Sequence, residues 1–130
     1  MRYQFLLISL SLLVLQSCYE VQRNCKDFKT GRFSFSYTID GKEITSEFER
    51  TDAFNIDYVD GIADSSSIRW INDCEFILKK LHPKNMQEEK AIHMKILTTT
   101  DSSYTFEYRL AVKEANKQER VEKGTALRID

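Results

Sequence analysis

The stretch FSFSYTIDG occupies residues 33–41. Apolar and polar side chains alternate from Phe33 to Ile39, which is the period of a β-strand with one apolar and one polar face. Asp40-Gly41 follows, and both residues tolerate the positive φ angles that a tight hairpin turn requires. The stretch therefore predicts a strand that turns at once into a return strand over 42–49.

Short alternating segments recur along the rest of the chain, separated by turn residues or polar connections. We expect further strands at 54–58, 67–71, 74–81, 92–100, 103–112 and 121–129. No stretch has a convincing helical period. Eight short strands predict an all-β, antiparallel up-and-down meander that forms a small barrel or half-barrel, because closing or curling the sheet hides its edges. A two-layer β-sandwich is the alternative.

An up-and-down meander divides its connections between two ends. One end is expected to carry the connections at 40–41, 60–66, 82–91 and 113–120. The other is expected to carry the shorter ones at 50–53, 72–73 and 101–102. Binding residues commonly lie on loops held by a rigid sheet, so the long, charged loops supply the candidates. These are Asp60, Asp64, His82, Lys84, Glu88, Lys113 and Lys117.

Residues 1–17 have the composition of a secretory signal. Arg2 is followed by an uncharged apolar run over 5–15, which is shorter than the ~20 residues of a membrane span. Leu15, Ser17 and Cys18 resemble the lipobox of bacterial lipoproteins, although Gln16 departs from it. The resemblance implies that residues 1–17 are removed and that Cys18 is acylated. The alternative is an ordinary signal peptide followed by an ordinary cysteine.

The expected products of this processing are a lipid-anchored tether over 18–24 and a single domain over 25–130. We expect this protein in the cell envelope, held to the outer membrane by the lipid on Cys18. The whole chain has 19 basic and 20 acidic side chains and a pI near 6.1. This balance lacks the positive footprint of nucleic-acid binding. An envelope protein or a glycan is the candidate partner of the loops.

Two cysteines remain after Cys18, namely Cys25 and Cys74. Export would place them in an oxidising compartment, which favours a disulfide. The meander brings both to one end, because Cys25 precedes the first strand and Cys74 opens the fifth. Two free buried thiols are the alternative. A zinc site is disfavoured, since His82 and His93 lack partners at ligand spacing.

No catalytic template fits the chain. Neither a Gly-rich phosphate loop nor a Gly-x-Ser-x-Gly elbow occurs. We expect Glu47, Glu49 and Asp57 to share the polar face of adjacent strands, which is weak evidence for glycosidase chemistry. Calcium binding by the acidic residues of the long-loop end is disfavoured, because the spacing of an EF-hand loop is missing. These residues are Asp60, Asp64, Glu88 and Glu89. We therefore expect no enzymatic activity, no cofactor and no metal.

The leading functional hypothesis is a non-enzymatic binding module that presents its long loops away from the membrane. The alternative is a carrier of a small apolar ligand inside a barrel that is lipocalin-like in architecture only. An eight-stranded barrel is either filled by side chains or holds one small ligand. Thirteen aromatic residues follow residue 17, and they favour a filled interior.

Three segments carry a resemblance to a family: CKDFKTGRF at 25–33, WINDC at 70–74 and GTA at 124–126. On these, the mature chain is similar to small uncharacterised lipoproteins of Gram-negative bacteria. That family has no established activity, so the resemblance implies a location but no residue roles. Some relatives carry a DNA topoisomerase IV label. It is implausible here, because 113 exported residues cannot hold an ATPase domain and a tyrosine cleavage domain.

Overall fold

The computed structural model describes residues 20–130, so the predicted signal peptide and Cys18 lie outside the described residues. A short 3-10 helix, Cys25–Phe28, comes first. Eight strands follow: β1 (Gly31–Ile39), β2 (Lys42–Arg50), β3 (Phe54–Val59), β4 (Ile62–Asn72), β5 (Glu75–Lys80), β6 (Ile92–Thr99), β7 (Ser103–Leu110) and β8 (Glu122–Arg128). Each strand pairs with the next, and β1 pairs with β8. The predicted all-β meander is confirmed, as a closed barrel.

Two Asp-Gly turns shape the first four strands. Asp40 and Gly41 have φ angles of 51° and 76°, and Asp60 and Gly61 have 50° and 77°. The first turn is the predicted hairpin. The predicted connection at 60–66 was wrong, because the second Asp-Gly pair closes its hairpin in two residues and β4 begins at Ile62. The serine run at 65–67 therefore lies in a strand.

β3 presents its polar residues to the barrel interior. The buried Phe48 of β2 is opposite Asp57, and the buried Arg50 is opposite Asn55. Directly opposite residues of paired strands point to the same face, so Asn55 and Asp57 point inward. The outward-facing residues of β3 are apolar: Phe54, Ile56 and Tyr58.

This orientation corrects the predicted grouping of Glu47, Glu49 and Asp57 on one polar face. Both glutamates lie opposite outward residues of β3, whereas Asp57 faces the interior. A shift of one residue in strand register exchanges the two faces of a strand. The alternating pattern of β3 is compatible with either face, and pairing with β2 decides between them.

The two ends of the barrel differ as predicted. The connections at 51–53, 73–74 and 100–102 lie at what we call the closed end, and those at 40–41, 60–61, 81–91 and 111–121 lie at the open end. Phe28 fills the closed end, its ring centroid 5.2 Å from that of Tyr104. The buried core comprises Cys25, Phe28, Phe33, Phe48, Phe76, Ile96, Tyr104, Phe106 and Ala126.

A disulfide between Cys25 and Cys74 confirms the predicted pairing, with the two Cα atoms 5.2 Å apart. It fastens the 3-10 helix to the turn before β5. The chain preceding the helix is held at the same end, because the Thr99 amide donates to the Gln22 carbonyl at 2.8 Å. Arg23 also donates to the Ile96 carbonyl at 2.9 Å. The predicted tether thus joins the domain at the closed end.

Candidate functional site

A buried arginine forms the floor of the open part of the barrel. Arg50 is the last residue of β2 and faces inward like Phe48, two residues before it. Arg50 is only 2% exposed. The guanidinium donates to the Phe28 carbonyl at 2.8 Å, to the Tyr104 hydroxyl at 2.9 Å and to Asn55 Oδ1 at 3.4 Å.

Aromatic rings surround this guanidinium. Its central carbon lies 4.6 Å from the ring centroid of Phe76 and 5.4 Å from those of Phe33 and Phe48. Such contacts attract a cation to the ring face. None of the ion pairs among residues 20–130 includes Arg50. Within the described chain, the Arg50 guanidinium therefore contacts aromatic rings and uncharged oxygen atoms.

Asp57 is the second titratable group near the floor. It accepts a hydrogen bond from Asn55 Nδ2 at 3.3 Å. Burial raises the pKa of the Asp57 carboxyl, and the neighbouring Asp64 adds to the rise, against lowering by Asn55 and by the Arg50 charge. The fold thus favours the neutral form of Asp57 relative to an exposed aspartate.

Above this floor lies a chamber of about 280 Å³. Its polar lining includes Arg50, Asn55, Asp57 and Tyr104. Its apolar lining includes Phe35, Phe48, Leu78, Ile92, Met94 and Phe106. The prediction of a filled interior was wrong. The aromatic side chains concentrate at the closed end, and the inward positions of β3 are polar, so the open half retains space.

Gly124 contributes to the shape of the chamber by leaving room for an aromatic ring. A Cβ atom at this position of β8 would lie 2.7 Å from Cζ of Phe106. The residue opposite Gly124 on β7 is Phe106 itself. The absent side chain therefore lets the Phe106 ring lie against the β8 backbone.

The chamber opens towards a wider outer cleft of about 640 Å³. The two spaces share Tyr37, Ile92 and Tyr108 in their linings. β1 pairs with β8 only from Phe33 to Phe35. Beyond that pairing, the two strands border the space between the chamber and solvent at the open end.

Ion pairs organise the loops around the outer cleft. Glu114 joins the two long connections through Lys90, and it also pairs with Lys117 at 2.8 Å. Hydrogen bonds from Lys117 and Lys90 lower the pKa of Glu114 to about 2. Arg109 of β7 lies 3.5 Å from Glu119 in the 111–121 connection. The connections 81–91 and 111–121 are thus fastened to each other at the mouth.

Five of the seven predicted binding residues lie at the open end, in two groups. Asp60, His82 and Lys84 are exposed at the open end. Lys113 and Lys117 line the outer cleft.

Asp64 is not a loop residue, which corrects its predicted position. It points inward from β4, opposite Asp57. Its carboxylate lies 2.7 Å from the Lys80 ammonium, and Glu88 lies 3.4 Å from the same group. The hydrogen bond to Asp64 raises the pKa of Lys80. The interior charges nearer the mouth are therefore paired with one another.

The predictions missed Arg50, Asn55 and the inward position of Asp57. One signal was present: Phe48 is an apolar residue of the predicted return strand, and the period of two places Arg50 on the same face as Phe48. The predicted return strand ends at Glu49, one residue before Arg50, so the prediction does not include Arg50 in the strand. Nothing in the sequence alone indicates that Asn55 and Asp57 face inward.

The chain matches no family model, and no curated protein or solved structure is significantly similar to it. Among residues 20–130, no helix is long and apolar enough to cross a membrane. The same part of the chain contains no group of three or more His, Cys, Asp or Glu side chains placed to hold a metal ion.

Proposed function

We propose that this protein is a non-enzymatic binding module of the bacterial cell envelope that takes up a small molecule through the open end of its barrel. The observation that carries the proposal is the chamber of about 280 Å³, which has Arg50 at its floor and is lined largely by apolar side chains. Concave, mostly apolar cavities with a few polar groups are the usual form of ligand sites. Lipid on Cys18 would keep the closed end near the membrane and the mouth away from it.

Native mass spectrometry of the protein, mildly extracted from membranes, tests this proposal. We expect a bound small molecule in the wild-type protein and its loss in Met94→Trp, which places a large ring in the chamber. Thr125→Trp is the matched control, because Thr125 lies on the exposed face of β8. Circular dichroism checks that both variants fold. Ligand-free masses for all three proteins would contradict the proposal.

A second candidate function is contact with an envelope protein or a glycan through the long loops. The observation that favours it is that Met86 and Val112 are 81% and 79% exposed on loops that Lys90 and Glu114 fasten together. Affinity capture with the intact protein and with a variant shortened at 82–91 and 113–120 would test it. We expect the shortened variant to lose the partner. Equal recovery of every partner by both proteins would argue against this function.

A further inference from the structure

The buried positive charge of Arg50 is the feature of the chamber that indicates the chemistry of its ligand. A guanidinium has five N–H donors, and three hydrogen bonds within the described chain use Nε, Nη1 and Nη2 once each. Two N–H groups remain, on the two terminal nitrogens. Burying a cation without an anionic partner costs free energy, which the surrounding aromatic rings offset only in part.

The other charged groups of the interior leave this cation available to an anion. Lys80 and Asp64 form their own pair at 2.7 Å. Asp57 shares the chamber lining with Arg50 but is not in ion-pair contact with it among the described residues. The hydrogen bond that Asp57 accepts in the described chain comes from Asn55 Nδ2, at 3.3 Å, and not from Arg50.

The size and walls of the chamber limit the rest of the ligand. At about 30 Å³ for each water-sized group, a volume of about 280 Å³ holds roughly nine such groups. The walls above the floor are largely apolar, with Phe35 and Phe48 on one side and Leu78, Ile92 and Met94 on another. Lys123 also lines the chamber. A longer apolar body would extend past Tyr37 and Tyr108 into the outer cleft.

We propose that the chamber binds a small amphiphile, with a carboxylate head on the Arg50 guanidinium and an apolar body of about seven carbon atoms against the chamber walls. This inference rests on the proposed binding function and specifies its ligand class. The Tyr104 hydroxyl and Asn55 already orient the guanidinium. The carboxylate would take the remaining N–H groups as charge-assisted hydrogen bonds, which are stronger than neutral ones.

Calorimetric titration with octanoate, octanol and octylammonium tests the head group, because the three probes share an eight-carbon chain and differ in the group at its end. The full-length protein carrying Cys18→Ser is used, which avoids detergent that would compete for the chamber. We expect octanoate to bind at one site about tenfold more tightly than octanol. Octylammonium should bind more weakly than both. Equal affinity for octanoate and octanol, or tightest binding of octylammonium, would overturn the assignment.

Arg50→Met tests the residue, because methionine keeps an apolar stem among the rings and removes the charge. We expect this variant to lose the preference for octanoate over octanol while its octanol affinity changes less than threefold. Arg69→Met is the matched control, since Arg69 is exposed on the outer face of β4. A retained octanoate preference in folded Arg50→Met would overturn the role of Arg50. The three-probe comparison remains decisive if this variant does not fold.

The outcomes also separate this inference from the proposed function. No binding of any probe, together with a bound molecule of other chemistry in the extracted protein, would remove the carboxylate assignment and leave the binding function in place. No probe binding and no bound molecule would remove both.

Discussion

At the residue scale, the chamber depends on polar side chains that β2 and β3 turn inward. Arg50 links three parts of the barrel, because it bonds to Phe28 of the 3-10 helix, to Asn55 of β3 and to Tyr104 of β7. It thereby joins the packed closed end to the chamber floor. A buried arginine whose three guanidinium nitrogens each donate one hydrogen bond is compatible with a stable fold. Because it also lines a chamber, its charge is placed to contact a ligand.

Asp57→Asn should change how stability depends on pH. The folded-state pKa of Asp57 is raised above its ordinary 3.8, so folding favours its protonated form. Its contribution to stability is fully present below the unfolded pKa and is lost as the pH rises through the folded pKa. At any pH above the folded-state pKa, ionisation of the buried carboxyl is therefore unfavourable. We expect Asp57→Asn to raise the urea midpoint at pH 7, with a smaller difference near pH 4.

Urea denaturation of wild type, Asp57→Asn and Asp101→Asn between pH 4 and pH 7 measures this effect. Asp101 is exposed in the turn between β6 and β7, so its substitution should leave the pH dependence unchanged. A midpoint for Asp57→Asn that lies below the wild-type value at pH 7 would show that the carboxylate has a stabilising partner.

Gly124→Ala should destabilise the barrel and disturb the chamber. The new methyl group would meet the Phe106 ring at 2.7 Å, and overpacking of this kind costs about 1–3 kcal/mol. Reduced freedom of the unfolded chain offsets up to about 1 kcal/mol. We expect a net loss of about 1–2 kcal/mol by urea denaturation. Thr125→Ala, on the exposed face of the same strand, should cost less, and equal losses would mean that the Phe106 contact is not the cause.

At the scale of elements, the disulfide secures the 3-10 helix that fills the closed end. Phe28 packs against Tyr104 and Phe33, but a helix of four residues has little stability of its own. Its position therefore depends on packing and on the bond from Cys25 to Cys74. The long connections at the other end depend instead on the ion pairs of Glu114, which solvent and salt weaken.

Cys25→Ser should lower the free energy of unfolding by about 2–4 kcal/mol, because the bond closes a long loop in the unfolded chain. The cysteines are 49 positions apart. Denaturant unfolding of wild type and variant gives the difference, and reduced wild type should resemble the variant. Thiol labelling of unfolded, unreduced mature protein provides the check. Reaction at both Cys25 and Cys74 would show that the bridge is absent.

At the scale of the whole molecule, the predicted tether joins the barrel at the end opposite the mouth. A hydrogen bond from the Thr99 amide holds Gln22 at the closed end, and Cys18 precedes Gln22 by only four residues. At about 3.3 Å per residue, that link spans no more than about 13 Å. Acylation of Cys18 would therefore keep the closed end close to the bilayer and leave the outer cleft accessible from the aqueous side.

Cys18→Ser should move the protein from the membrane fraction to the soluble fraction without changing its thermal midpoint. The expected reason is that Cys18 holds the lipid but lies outside the domain that begins at Cys25. Fractionation followed by thermal denaturation of the released protein measures both effects. Cys25→Ser is the control, since it should remain on the membrane and unfold more easily. Retention of Cys18→Ser in the membrane fraction would contradict the proposed anchor.

The local sequence was sufficient to predict most strands and one turn type. Alternation from Phe33 to Ile39 followed by Asp40-Gly41 predicted the first hairpin, because a period of two and positive φ are properties of neighbouring residues. The counting of strands then placed Cys25 and Cys74 at one end. These features depend on short-range geometry and on chain connectivity, and both follow directly from the order of the residues.

Only the tertiary structure decided which side chains face the chamber. Asn55 and Asp57 alternate with apolar residues that would fit the interior equally well by pattern, and pairing with β2 turned the polar set inward. The pairing of β1 with β8 closes the sheet, and only this closure gives the barrel an interior. Register and closure are cooperative properties of distant segments, since each depends on all strands pairing at once. The alternation within β3 is the same for either orientation.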